Sequence, residues 1–235
     1  MARVKKYLSF LFGWCLIVIV IVFSIQTMAL NANFYTNRYE KMNLSQEIQV
    51  SDADLDQSII MLMDYLEDRR SDLNNTIVWK GHTQSTFNKK EIRHMVDVKN
   101  LYQNVKKVSG IAIVVLLGIL FYMFYIDRRK AVSFLTKGVI RTTVCLGIFV
   151  IVIGMWMVTD FTSFWTWFHT IFFSNDLWLL NPNTDFMICM LPETIFNQLV
   201  GAIVWMIVFV LLPILIGCIY YQRKKAPIGF EEDNE

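Results

Sequence analysis

The sequence predicts an α-helical membrane protein: four transmembrane helices carrying a small α/β extracellular cap. Three observations carry that prediction. Of 235 residues, 55% are hydrophobic and only 18% charged, where a soluble domain carries about 25% charged residues. The charges cluster, leaving four almost purely apolar windows. Lys and Arg gather in the short flanks on one side of those windows. The 22 Lys+Arg are balanced by 20 Asp+Glu, so there is no basic excess of the kind that binds nucleic acid. A soluble enzyme and a disordered chain are equally poor fits.

The first window, residues 1–28, opens with Arg3, Lys5 and Lys6 and is uncharged from Tyr7 to the end. Its apolar stretch exceeds the roughly 7–15 residues of a signal peptide, and no small-x-small cleavage site follows. It is expected to be a retained membrane helix. The second span is 108–126 and the third 142–159, each free of charge. The fourth is 196–221, in which Pro213 predicts a kink. Each is close to the roughly 20 residues that cross hydrocarbon as a helix. Between the second and third, 127–141 is expected as a cytoplasmic loop. It carries Arg128, Arg129, Lys130, Lys137 and Arg141 against one acid. The tail, 222–235, opens with Arg223, Lys224 and Lys225. The positive-inside rule then places both termini in the cytoplasm. Residues 29–107 and 160–195 face outward, and 160–195 has no Lys or Arg.

The outer segment 29–107 is too patterned for a bare loop. Gln46–Val50 alternates like a short strand. Ser51 reads as an N-cap with acids in the first turn after it. Leu55, Ile59, Ile60, Leu62, Met63 and Leu66 follow at helical spacing. Asp72–Asn75 is expected as a turn and Thr76–Lys80 as a second strand. His82 lies in a polar loop and is expected at the surface. Asn88 with Glu91 three residues on predicts a capping box. An interfacial helix then runs into the second span. Met95, Val98, Leu101, Tyr102 and Val105 form its apolar face, and Glu91 and His94 fall inside that face. Arg93 lies opposite and Asp97 at the border. An ionisable pair on the apolar face of a helix feeding a span marks a candidate site. A buried histidine satisfied by a neighbour is the plainer alternative.

The segment 160–195 is dense in aromatics, among them Phe168, Phe172, Phe173 and Trp178. An interfacial belt explains many of them. Embedded polar groups, His169, Asn175, Asp176 and Asp185, also suit a lipid-shaped pocket with a few fixed polar contacts. Phe168, Phe172 and Trp178 are read as its walls. Asn181-Pro182 and Leu191-Pro192 mark turns. Cys15, Cys145 and Cys218 fall in spans, and Cys189 has no outer partner, so no disulfide framework is expected. Cys189 as an acylated nucleophile lacks a basic neighbour in sequence. A single Glu-x-x-His is a weak metal signal. No metal and no cofactor are expected. Two histidines at one membrane depth suit proton transfer for a substrate that brings its own nucleophile.

The blocks FNKKEIRHMVDVKNLY and FHTIFFSNDLWLLNPNTDFMICMLPE, in a chain of this length with four spans, resemble the bacterial lipoprotein intramolecular transacylase family. The resemblance implies acyl transfer from the sn-2 ester of an S-diacylglyceryl cysteine to that cysteine's own α-amino group. The product is a lyso-form lipoprotein, N-acylated and S-monoacylglycerylated. It implies two catalytic histidines where cap meets membrane, carried over to His94 and His169. Diacylglyceryl-modified lipoproteins and membrane lipid are then the partners, and the bacterial cytoplasmic membrane the location, with the site at the extracellular face. Our expectation is His94 as base and His169 as partner for the oxyanion or leaving group. Glu91 and Asp97 would orient His94, and Arg93, Asn175 and Asp176 would support the site. The alternative from another class is a non-enzymatic membrane protein whose cap senses a ligand.

Overall fold

The computed structural model describes residues 2–225. The chain is mostly helical. In order, the elements are α1 (Ala2–Ala29), α2 (Ala32–Met42), α3 (Leu44–Ile48), α4 (Asp52–Leu66), β1 (Thr76–Trp79), β2 (His82–Ser85), α5 (Lys89–Thr159), α6 (Phe161–Phe172), α7 (Phe186–Met190) and α8 (Glu193–Lys225). Three helices, Arg3–Ala29, Lys89–Thr159 and Glu193–Lys225, are long and apolar enough to cross a membrane. Two of the expected spans, 108–126 and 142–159, thus lie within α5. Its helical geometry is broken only at Asp127 (φ −154°, ψ 73°). Instead of a loop over 127–141, two helices meet at the non-helical Asp127 and residues 128–141 are helical. The basic residues there, Arg and Lys, are good helix formers, and charge alone does not end a helix.

The chain divides into two compact units. The first draws on residues up to Ile21, on Val108–Ile153 and on residues from Met206. Within it, Ile119 and Met123 before the break share a buried cluster with Ala131 and Leu135 after it. Lys5 Nζ meets Asp127 Oδ2 at 2.7 Å. The first half of α1 crosses the later half of α5 at very close range. A Cβ added to Gly138 would stand 1.9 Å from the Ser9 carbonyl oxygen, and one added to Gly13 would stand 2.2 Å from Thr142 Oγ1. Small residues four apart on each helix (Ser9/Gly13 and Gly138/Thr142) permit that approach, as at many helix crossings in membranes.

The second unit comprises Val22–Lys107 and Gly154–Trp205. Its core gathers Tyr35, Leu55, Ile59, Leu62, Phe87, Met95, Phe186 and Met190, among others. The expected helix over 51–66 forms. Ser51 caps α4 by accepting the Asp54 N–H, and Leu55, Ile59, Leu62, Met63 and Leu66 are buried. Ile60, on the same periodicity, is exposed. β1 forms within 76–80 and pairs antiparallel with β2, with Trp79 opposite His82. Lys80 and Gly81 at the turn both have positive φ, the pattern of a two-residue type I′ hairpin. His82 thus lies in a strand and is exposed. The strand expected at 46–50 does not form. Residues 44–48 are helical, Gln49 is left-handed, and only Val50 bridges to Trp79. Trp79 Nε1–H also donates to the Ile48 carbonyl at 2.8 Å. The cap is thus helical with one hairpin.

Candidate active site

The site is built in the second unit from the start of α5, from α6, and from residues 173–191. α5 begins at the predicted capping box. Asn88 Oδ1 accepts the N–H groups of Lys90 and Glu91, and Glu91 Oε2 accepts the Asn88 N–H at 2.7 Å. His94 follows within one turn. It is only 7% exposed, and its Nδ1 has no hydrogen-bond partner among the described residues. His94 precedes the uncharged window, which starts at Val108.

α6 opens with Asp160 accepting the Ser163 N–H and carries His169 near its end. His169 is 6% exposed. Its Nδ1 lies 2.8 Å from the Trp165 carbonyl oxygen. A carbonyl only accepts, so Nδ1 carries the proton and Nε2 keeps a lone pair. The imidazole is flanked by Trp165 (centroids 4.6 Å apart, edge-on) and Trp178 (4.8 Å, stacked).

The two imidazoles face one another with centroids 6.0 Å apart, and Phe173 touches both. Both line a cavity of 370 Å³. The remaining wall is apolar and aromatic: Tyr35, Leu62, Met95, Tyr102, Trp165, Phe168, Phe172, Trp178, Met187 and Leu191 are among its residues. Among the described residues, no Asp, Glu, Lys or Arg lines it, and the two histidines are the only lining side chains whose ordinary titration lies near neutral pH. Burial pushes His94 down to about 4, His169 beside it adds to the fall, and Asp97 opposes it. Burial likewise lowers His169, against the Trp165 carbonyl. Both are therefore neutral at pH 7. A proton on His94 Nδ1 would be a buried donor with no acceptor, which is costly. The Nε2–H tautomer leaves Nδ1 as an unpaired acceptor instead. A second depression of 380 Å³, lined by Tyr39, Glu40, Asp52 and Asp56, holds neither histidine.

The other expected site residues are placed differently. Phe168, Phe172 and Trp178 line the cavity, whereas Arg93, Asn175 and Asp176 are exposed and do not. Asn175 Nδ2 donates to Asp97 Oδ2 at 2.9 Å, and Asp97 acts on His94 through its charge. Glu91 is 1% exposed, and both its oxygens accept backbone N–H groups, those of Asn88 and, at 2.6 Å, Met187. It does not reach His94 as an orienting partner. Burial lifts its carboxyl to about 7. Trp165 and Phe173, which frame the histidines, did not stand out from the other aromatics in the sequence. Among the described residues no group of three His, Cys, Asp or Glu could hold a metal ion.

The sequence model of the family described as "Lipoprotein intramolecular transacylase Lit" matches residues 10–196. The chain belongs to that family.

The lipoprotein intramolecular transacylase family is one of membrane acyltransferases, and the long apolar helices fit that setting. A solved structure of the membrane-integral lipoprotein intramolecular transacylase Lit from Bacillus cereus is similar in fold. It has a TM-score of 0.74 and 17% identity, covering 96% of this chain and 100% of that one. Two variants of the Bacillus cereus protein, with one histidine replaced by arginine or by alanine, are similar at TM-scores of 0.69 and 0.70. They are 16% and 17% identical and cover 95% of this chain and 95% and 97% of theirs. No curated protein sequence matches the chain.

Proposed function

We propose that this protein moves the sn-2 acyl chain of an S-diacylglyceryl cysteine to the α-amino group of that cysteine, with His94 and His169 as its proton-handling residues. The observation that carries the proposal is the pair of buried, neutral imidazoles 6.0 Å apart in the wall of an otherwise apolar cavity. Acyl transfer from ester to amine requires a base, an oxyanion donor and an acid for the leaving alkoxide. It requires no cofactor, because the amide is the more stable product.

The hydrogen bonding favours His169 as base, the reverse of the division expected from sequence. Its Nδ1–H is held by the Trp165 carbonyl, which leaves Nε2 to accept a proton and stabilises the imidazolium that results. An α-amino group has a free pKa near 8, and an apolar cavity disfavours its charged form. The amine attacks the ester carbonyl as His169 takes its proton. The ring so closed holds nitrogen, Cα, Cβ, sulfur, two glyceryl carbons, the ester oxygen and the acyl carbon. The oxyanion accepts from His94 Nε2–H. Collapse breaks the acyl–oxygen bond, and the glyceryl oxygen takes the proton from His169. The sum is an isomerisation. Closing such a ring costs conformational freedom, and aromatic walls that hold the substrate folded lower that cost by several kcal/mol.

In the same reading α5 crosses the membrane twice, once on each side of Asp127, giving four spans with both termini cytoplasmic and the site at the outer face of the bacterial cytoplasmic membrane. The positive-inside pattern supports that orientation.

Because intact mass does not change, the test is tandem mass spectrometry of a synthetic diacylglyceryl lipopeptide incubated with purified protein in detergent. Fragments placing one acyl chain on the cysteine nitrogen are expected with wild type. His94→Ala and His169→Ala should each lower the rate at least 100-fold. An unchanged lipopeptide with folded wild type, or full activity in either variant, would overturn the proposal.

A further inference from the structure

Residues 174–191 contain only one short helix, α7, yet Trp178, Leu180, Met187 and Leu191 from this strap form part of the cavity wall. What fixes the strap is a set of side chains from the first turns of α5. Met187 N–H donates to Glu91 Oε1 at 2.6 Å, and Asn88 Nδ2 donates to Asp185 Oδ1 at 2.7 Å. Asp185 Oδ2 accepts the Asn181 N–H at 2.7 Å, and Thr184 Oγ1–H donates to Oδ1 at 3.0 Å. Lys90 Nζ donates to the Leu179 carbonyl.

Capping explains only half of Glu91. One oxygen closes the box at Asn88. The other reaches a backbone N–H 96 positions away in sequence, which starting a helix does not require. Glu91 and Asp185 are 1% and 4% exposed. Burying two carboxyl groups is unfavourable unless every acceptor is used, and here the donors come from Asn88, the N-cap of α5, and from the strap.

We propose that Glu91, together with Asp185, is a positioning residue that fastens the 174–191 strap as one wall of the substrate cavity. Its effect falls on substrate binding rather than on proton transfer. The proposal rests on the transacylase reading above. A carboxylate accepts both N–H groups, whereas a glutamine turns its NH₂ toward one of them and loses that bond.

The experiment compares wild type, Glu91→Gln and Asp185→Asn on the same lipopeptide, beside hydrogen exchange followed by mass spectrometry. Glu91→Gln should raise KM on the order of tenfold with kcat changed no more than about threefold. Exchange should accelerate in peptides covering 186–191 while α4 stays protected. Asp185→Asn should act in the same direction and serves if Glu91→Gln does not fold. Three results would overturn the proposal: wild-type KM in both variants, loss of kcat at unchanged KM, or accelerated exchange spread evenly through α4. If wild type itself transfers no acyl chain, the transacylase reading fails, and exchange at 186–191 still decides whether Glu91 fastens the strap.

Discussion

At the scale of the residue, the site depends on which hydrogen bonds each imidazole has and lacks. His169 has a backbone acceptor for one nitrogen, and His94 has none. Both are pushed toward the neutral form, so protonating either costs folding free energy. The folded-state value of His94, about 4, lies below the unfolded value near 6.5. Its contribution to stability is therefore complete above pH 6.5 and is lost as pH falls toward 4. Glu91 has the opposite sign: its folded value, about 7, is raised. Its contribution is fullest below the ordinary carboxyl value and declines as pH rises toward 7. The two nearly offset one another between pH 7 and pH 5, so the wild-type slope alone says little. Compared with wild type, His94→Phe should gain about 2 kcal/mol on going from pH 7 to pH 5. Thermal unfolding in detergent at the two pH values measures this, and parallel shifts in both proteins would contradict it. The importance of His94 was legible because Met95, Val98, Leu101 and Tyr102 share its helical face, and all four line the cavity with it. The partners of Asp97 and Glu91 were not legible, because Asn175 and Met187 lie 78 and 96 positions away.

At the scale of the element, strong local signals matched the structure and weak ones did not. The Asn88–Glu91 capping box and the Ser51 cap form as read. The alternation over 46–50 misled because five residues cannot separate a strand from one helical turn, and tertiary contacts decided the matter. Ile48 is buried in the core, and its carbonyl accepts from Trp79. α2 was missed because polar residues hide its buried Phe34, Tyr35 and Tyr39. The crossing of α1 with α5 offers a sharp test at this scale. Gly138 faces the Ser9 carbonyl at a distance that no side chain tolerates, and backbone cannot yield as a flexible side-chain tip can. Gly138→Val should destabilise the protein by roughly 1–3 kcal/mol, read as a lower Tm in detergent. The matching change at Gly147, where an added Cβ meets nothing within 4 Å, should leave Tm unchanged within error. Equal losses at both positions would sink the close-packing explanation.

At the scale of the whole molecule, four apolar windows were visible in the sequence, whereas among the described residues three long helices are apolar enough to span, because α5 joins two of the windows across the break at Asp127. The orientation proposed above is testable in intact cells. The four cysteines are first replaced by serine. A membrane-impermeant thiol reagent should then label Ser71→Cys without permeabilisation and Lys224→Cys only after it. Both positions are exposed. The reverse pattern would invert the topology.

The cavity wall has a further consequence. Among the described residues it contains no carboxylate, no lysine or arginine, and no side-chain amide or aliphatic hydroxyl. Water, which competes with any amine for an activated ester, therefore finds few anchors there beyond the imidazoles, the tyrosine hydroxyls and the indole N–H groups. In the proposed reaction such a lining would favour the nucleophile delivered already attached to the ester and hold down fatty-acid release, because water meets few polar groups along the wall.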